Sequence, residues 1–155
     1  MLPHFHILLG IFLVNILRAF GINGIELWLI FLGSITPDLD YLITFIKTNK
    51  NHRTYFTHYP FTYICLFFLF FIFRSILYWF FIGALIHILF DTIDWEVLLF
   101  APFLPIKFSF LNLNIMNIKG NRNIKDFLIN YYSNKIILLI EGILLIIVIS
   151  TGLLI

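Results

Sequence analysis

The sequence predicts an all-α integral membrane bundle of four or five helices, with a polar loop before the last helix. Three observations lead there. Of 155 residues, 61% are hydrophobic and 12% are charged, and Phe alone supplies 20. Soluble globular chains carry about 25% charged residues. A domain this small has too high a surface-to-volume ratio to hide that much apolar area from water. A soluble monomer and a disordered chain are both excluded. Second, the apolar residues fall into separate segments broken by turn and polar signals. Third, the Lys and Arg residues gather on one side of the topology those segments define.

The segments follow in order. Residues 5–20 form the first, and Gly21-Ile22-Asn23-Gly24 reads as a turn. The second, 25–35, stops at Thr36-Pro37. Thr36 there is expected as an N-cap, Pro37 as the first residue of a new helix and Asp38 in its first turn. The third runs 60–73 and ends at Arg74. The fourth runs 76–103, with Asp91, Asp94 and Glu96 in its second half. The fifth, 136–155, has the roughly 20 residues a spanning helix needs. The first three are shorter, and the first two form a hairpin that spans or enters partway. Residues 104–134 are rich in Asn and carry four Lys/Arg, so they read as a polar loop with a short surface helix at 125–132. The whole chain, 1–155, is expected to be one membrane domain: a motif-bearing core 1–103, a polar loop 104–135 and a C-terminal transmembrane helix 136–155.

Lys47, Lys50, Arg53, Lys107, Lys119, Arg122, Lys125 and Lys135 fall on the N-terminal side of this topology, against Arg18 and Arg74 on the other. Positive residues mark the cytoplasmic side. The expectation is a multi-pass protein of the inner (cytoplasmic) membrane with its N-terminus inside. A basic stretch ahead of the first apolar run is missing, so a cleaved signal peptide is not expected. Net charge of +2 gives no reason to expect nucleic acid. The single Cys65 excludes an internal disulfide and a multi-Cys zinc site.

The ionisable residues carry the chemistry. His4, His6, Asp38, Asp40, His52, His58, His87, Asp91, Asp94 and Glu96 all fall at or near the cytoplasmic ends of their segments. Separate pieces of chain thus bring His and Asp to one depth. His87 and Asp91 are spaced i, i+4, on one helix face that Asp94 shares and Glu96 does not. An aspartate in so apolar a segment is costly unless it is paired or metal-bound. Imidazole and carboxylate together suit zinc and other divalent ions. The simpler reading of each is structural: a His–Asp hydrogen bond, an acid at a helix N-terminus, a solvated loop at 52–58. Capping accounts for one of Asp38 and Asp40, not both. Arg53 suits a phosphate, although Lys47, Lys50 and Arg53 serve equally as cytoplasmic anchors. Gly10 allows close helix packing. Glu141 has no evident partner and is expected to face the bundle interior or a second copy.

The ordered motifs are His6-Ile7-Leu8-Leu9-Gly10, Leu32-Gly33-Ser34-Ile35-Thr36-Pro37-Asp38-Leu39-Asp40, His52-Arg53 with Thr57-His58, Gly83-Ala84-Leu85-Ile86-His87-Ile88-Leu89-Phe90-Asp91, and Val97-Leu98-Leu99-Phe100-Ala101-Pro102-Phe103. Over residues 4–105 this series resembles the YdjM-like family of membrane-bound metal-dependent hydrolases, itself distantly similar to zinc-dependent phospholipase C and the P1-type nucleases. The resemblance implies phosphoester hydrolysis. By position it carries the family's polar residues onto His6, Asp38, Asp40, His52, Arg53, His58, His87 and Asp91. The chain departs from the family pattern at Tyr41, often His there. It departs again in the six-residue step from His52 to His58, usually five, and in Ile93-Asp94-Trp95-Glu96-Val97, which replaces Thr-Pro-x-Gly-Val.

The leading expectation is a hydrolase at the cytoplasmic face using metal-activated water. It holds one to three divalent ions, zinc foremost, with His6, Asp38, Asp40, His52, His58, His87 and Asp91 as ligand candidates. Arg53 would bind phosphate, and Asp40 or Asp94 would act as general base. Expected partners are membrane lipids, a lipid phosphoester as substrate and a second copy of the chain. The alternative is an ion or proton transporter or channel subunit using the same His/Asp cluster. A bis-His haem protein would need facing histidines without this crowd of carboxylates.

Overall fold

The computed structural model describes residues 3–40, 56–110, 129 and 131–152. Among these residues there are five α-helices and no strand: α1 (Pro3–Ala19), α2 (Leu27–Ile35), α3 (Pro60–Ile72), α4 (Tyr78–Asp94) and α5 (Lys135–Gly152). Short 3-10 turns occupy Thr36–Leu39 and Phe56–His58. The expected all-α class is what is observed.

Local chemistry sets the boundaries. α1 and α3 open on Pro, whose missing N–H costs nothing at a helix start. α1 closes in a paired cap: Gly21 N–H donates to the Arg18 carbonyl at 2.8 Å and Ile22 N–H to Leu17 at 3.0 Å. Gly21 adopts φ +76°, left-handed backbone that glycine takes without penalty. α3 closes the same way through Arg74 and Ser75, with Arg74 at φ 52° where glycine is usual. α4 ends at Asp94, well short of the apolar run to 103. Trp95 turns extended, and Val97 pairs with Phe108 through two backbone hydrogen bonds of 3.0 and 2.9 Å. Apolarity thus continues past the helix as a folded-back loop. The helix expected at 125–132 lies mostly outside the described residues. Of its described residues, Ile129 is exposed and Tyr131 is fully buried.

Helix directions follow from the contacts. Gly10 meets Ile30 and Ser34, while Leu17 and Ile25 share one cluster, so α1 and α2 are antiparallel. Phe71 meets Tyr78 and Phe70 meets Phe81, so α3 and α4 are antiparallel. Ile30 meets Gly83 and Ser34 meets His87, so α2 and α4 run parallel. His4 reaches Glu141 and Asn15 reaches Thr151, so α1 and α5 run parallel too. Hence α1, α3 and α5 run one way, and α2 and α4 the other. The start of α1, the end of α2, the start of α3 and the end of α4 therefore meet at one end of the bundle.

The distribution of polarity is inverted relative to a water-soluble domain. His6, His58, His87, Asp91 and Asp94 are buried, while Phe68, Phe71, Ile72, Leu139, Ile146 and Ile149 are exposed. Such an apolar exterior suits hydrocarbon as solvent. By length and composition α5 can cross a membrane. α1 and α4 reach about 25 Å and α3 about 20 Å, short of a hydrocarbon core of about 30 Å.

Candidate metal centre

The site begins with Pro37. A proline has no N–H for the ladder, so α2 cannot continue and tightens into the 3-10 turn Thr36–Leu39. Thr36 is no N-cap. Its hydroxyl donates backward to the Leu32 carbonyl at 2.7 Å, filling the last turn of α2 instead of opening a new helix. The turn leaves the Ser34 carbonyl and Asp38 both beside His87 of α4.

That carbonyl accepts a 2.6 Å hydrogen bond from His87 Nδ1. The bond fixes the His87 tautomer and leaves Nε2 as a lone-pair donor. His87 Nε2 is buried without a hydrogen-bond partner, 3.5 Å from Asp38 Oδ1 and 3.7 Å from Asp91 Oδ2. His58 repeats the arrangement. Its Nδ1 donates to Asp40 Oδ2 at 3.2 Å, while Nε2 lies 3.8 Å from Asp38 Oδ1 and 3.9 Å from Asp91 Oδ2. Thr57 donates its hydroxyl to the same Asp40 oxygen, which holds that carboxylate in place.

Asp38, His58, His87 and Asp91 thus present two nitrogens and two oxygens, all within 4.8 Å of one another. Their closest separations, 3.5–3.9 Å, exceed a good hydrogen bond. Ligands at about 2.0–2.2 Å from a tetrahedral zinc lie about 3.3–3.6 Å apart. The four groups are therefore close enough together to hold one divalent ion.

The expected residues divide into groups. Asp40 stands behind His58, at the ring edge away from Asp38 and Asp91. His6 is fully buried on the far side of His87, with ring centroids 3.8 Å apart and planes at 24°. Its Nε2 lies 3.2 Å from Asp91 Oδ1, so Asp91 shows one oxygen to the four-residue group and the other to His6. Asp94 is buried in the last turn of α4, outside that group. Glu96 points away, to Lys107 at 3.0 Å. His52 and Arg53 lie outside the described residues.

Sequence reasoning missed two features. The Ser34 carbonyl carries no side-chain signal. Glu141 has partners after all: Tyr131 donates to it at 3.0 Å and His4 lies 3.4 Å away, with Tyr132 3.3 Å from His4. It faces the bundle interior and joins α5 to the start of α1. Burial, and then Glu141, push the Tyr132 hydroxyl above its ordinary pKa.

The family model for the YdjM inner membrane protein matches residues 1–155. The chain belongs to the YdjM inner membrane protein family. No curated protein and no solved structure matches it. In this YdjM-family chain the resemblance first carried by residues 4–105 extends over residues 106–155 as well.

Proposed function

We propose that this YdjM-family chain is a membrane-embedded metal-dependent hydrolase of a phosphoester, lipid or lipid-linked, working with metal-activated water at the cytoplasmic face. The observation that carries it is the Asp38, His58, His87 and Asp91 group with its oriented imidazoles. An N2O2 donor set suits zinc. Asp38, His58, His87 and Asp91 would hold a divalent ion, which when bound would supply Lewis-acid chemistry to a phosphoester and to water. His58 and His87 offer Nε2, Asp38 and Asp91 offer carboxylate oxygens, and Asp40 keeps His58 in the required tautomer. His6 extends the set across Asp91. Asp94, one turn beyond Asp91, is the carboxylate left for proton transfer. Arg53 precedes the Phe56–His58 turn and supplies a cation for phosphate. The distant link to zinc-dependent phospholipase C and the P1-type nucleases that the family resemblance implies is the reason for naming this reaction class. The excess of Lys and Arg that the sequence assigns to the N-terminal side of the topology supports a cytoplasmic orientation.

The transporter reading needs polar groups through the opposite half of the bundle. There Val14, Leu29, Ile30 and Trp79 pack as core, and the buried Asn15 amide is bound to the Thr151 hydroxyl at 3.1 Å. The test is metal content, by mass spectrometry, of detergent-purified protein beside His87→Ala. At least one equivalent of divalent ion, lost in the variant, is expected. No ion in either protein after reloading would overturn the hydrolase reading and bring ion-flux assays forward.

A further inference from the structure

We infer that His6 is a positioning residue for the metal centre and not one of its ligands: it donates from Nε2 to Asp91 Oδ1 and leaves Asp91 Oδ2 to face the ion. This inference rests on the metal centre of the hydrolase reading and assigns roles within it. His6 is the ligand candidate carried by α1, fully buried near the start of that helix.

Its ring is anchored differently from the two ligand imidazoles. A ligating histidine almost always donates its other ring N–H to a carboxylate, carbonyl or water, which turns the lone pair to the ion. His58 and His87 do so through Nδ1, to Asp40 and to the Ser34 carbonyl. His6 Nδ1 is buried with no hydrogen-bond partner among the described residues. A neutral imidazole has one N–H to place. On Nδ1 that N–H would be buried unpaired, and a bare Nε2 lone pair would face a carboxylate oxygen 3.2 Å away. On Nε2 the proton meets that oxygen, at hydrogen-bonding distance though out of line in this structure.

The place of the ring points the same way. Asp38, His58, His87 and Asp91 share one centre within 4.8 Å, and His6 is not among them. It lies face to face on His87, with centroids 3.8 Å apart, and so backs that imidazole instead of joining its Nε2. Asp91 shows Oδ1 to His6 and turns Oδ2 to the centre, 3.7 Å from His87 Nε2 and 3.9 Å from His58 Nε2. Through this contact α1 selects which oxygen of Asp91 the ion meets. His6 thus extends the set as a donor to a ligand.

The test compares wild type, His6→Leu and His6→Gln, each as the whole detergent-purified chain. Gln places an amide N–H where His has Nε2–H, without a nitrogen lone pair. In a competitive chelator titration His6→Leu should weaken zinc about 10–100-fold, and His6→Gln should restore at least half of that loss on a logarithmic scale. Zinc stoichiometry should be the same in all three. With cobalt(II) in place of zinc, the visible band should match between wild type and His6→Gln. In His6→Leu the freed Oδ1 joins the ion, and the band should weaken and shift. A lower melting temperature with an unchanged cobalt band in His6→Leu would overturn the inference, because the residue would then only support the fold. Damage by His6→Gln equal to that of His6→Leu, or the loss of one of two bound ions in His6→Gln, would overturn it by making His6 a ligand. If His6→Leu fails to fold, retention or loss of zinc and band in His6→Gln decides. No ion in wild type would overturn the metal centre and this role together. Zinc bound and rescued by Gln in a protein without phosphoesterase activity would uphold the role of His6 and sink only the hydrolase reading.

Discussion

His87 presents its two ring nitrogens to different partners: Nδ1 to the Ser34 carbonyl, Nε2 to Asp38 and Asp91. His58 does the same between Asp40 and those two carboxylates. An imidazole held this way has one tautomer and one direction, which raises its worth as a ligand. Asp40→Asn should therefore weaken zinc about 10–100-fold in a competitive chelator titration, the usual cost of losing an orienting partner. Asp38→Ala removes a ligand atom and should cost more. An unchanged affinity in Asp40→Asn would show that His58 is oriented by other groups. The value of Asp38 and Asp91 was legible in the sequence, because an acid in an apolar segment demands a partner. The division of labour between Asp38 and Asp40 was not, because two residues of spacing do not say which carboxylate faces the ion.

At the scale of elements, the crossing of α2 and α4 holds the site together. A methyl group at Gly33 would run into the Phe80 backbone, and one at Gly83 into the Ile30 backbone. Both helices use glycine to bring backbone against backbone, as small residues do in membrane interfaces. Only at that separation can the His87 ring reach the Ser34 carbonyl. Gly83→Ala should cost about 1–3 kcal/mol by overpacking and reduce bound metal with it. Gly142→Ala is the control, since its methyl meets nothing within 4 Å. It should leave the thermal midpoint unchanged or raise it, by up to about 1 kcal/mol of helix propensity. Equal destabilisation by both would mean that the crossing is not special. The α1–α5 pairing depends on Glu141 instead. Glu141→Leu removes the 3.0 Å hydrogen bond from the Tyr131 hydroxyl and should cost about 1–3 kcal/mol, read as a lower melting temperature in detergent. An unshifted melt would remove Glu141 from the pairing.

At the scale of the whole molecule, alternating helix directions decide which residues share an end. Arg18 and Arg74 close α1 and α3 at one end, while Lys107 lies with the metal group at the other. In a Cys65→Ser background, Asn23→Cys should react with a membrane-impermeant maleimide in intact cells. Lys107→Cys should react only after permeabilisation. The reverse pattern would place the metal group outside and contradict a cytoplasmic site.

The sequence by itself determined the class: composition excluded a water-soluble monomer, and polar breaks marked five apolar segments. It also determined which end gathers ligands, because chain direction reverses at each turn and His and Asp follow that alternation. Both are one-dimensional properties that survive any packing. Tertiary structure alone decided that α4 stops at Asp94, since apolar residues continue past it and only the pairing of Val97 with Phe108 folds them back. It decided that Thr36 caps nothing, that Glu141 faces inward and that Asp40 stands behind His58. Each depends on where a side chain points relative to a residue distant in sequence. Hydropathy and spacing fix depth and face, but the angle between two packed helices is set by how closely their backbones meet.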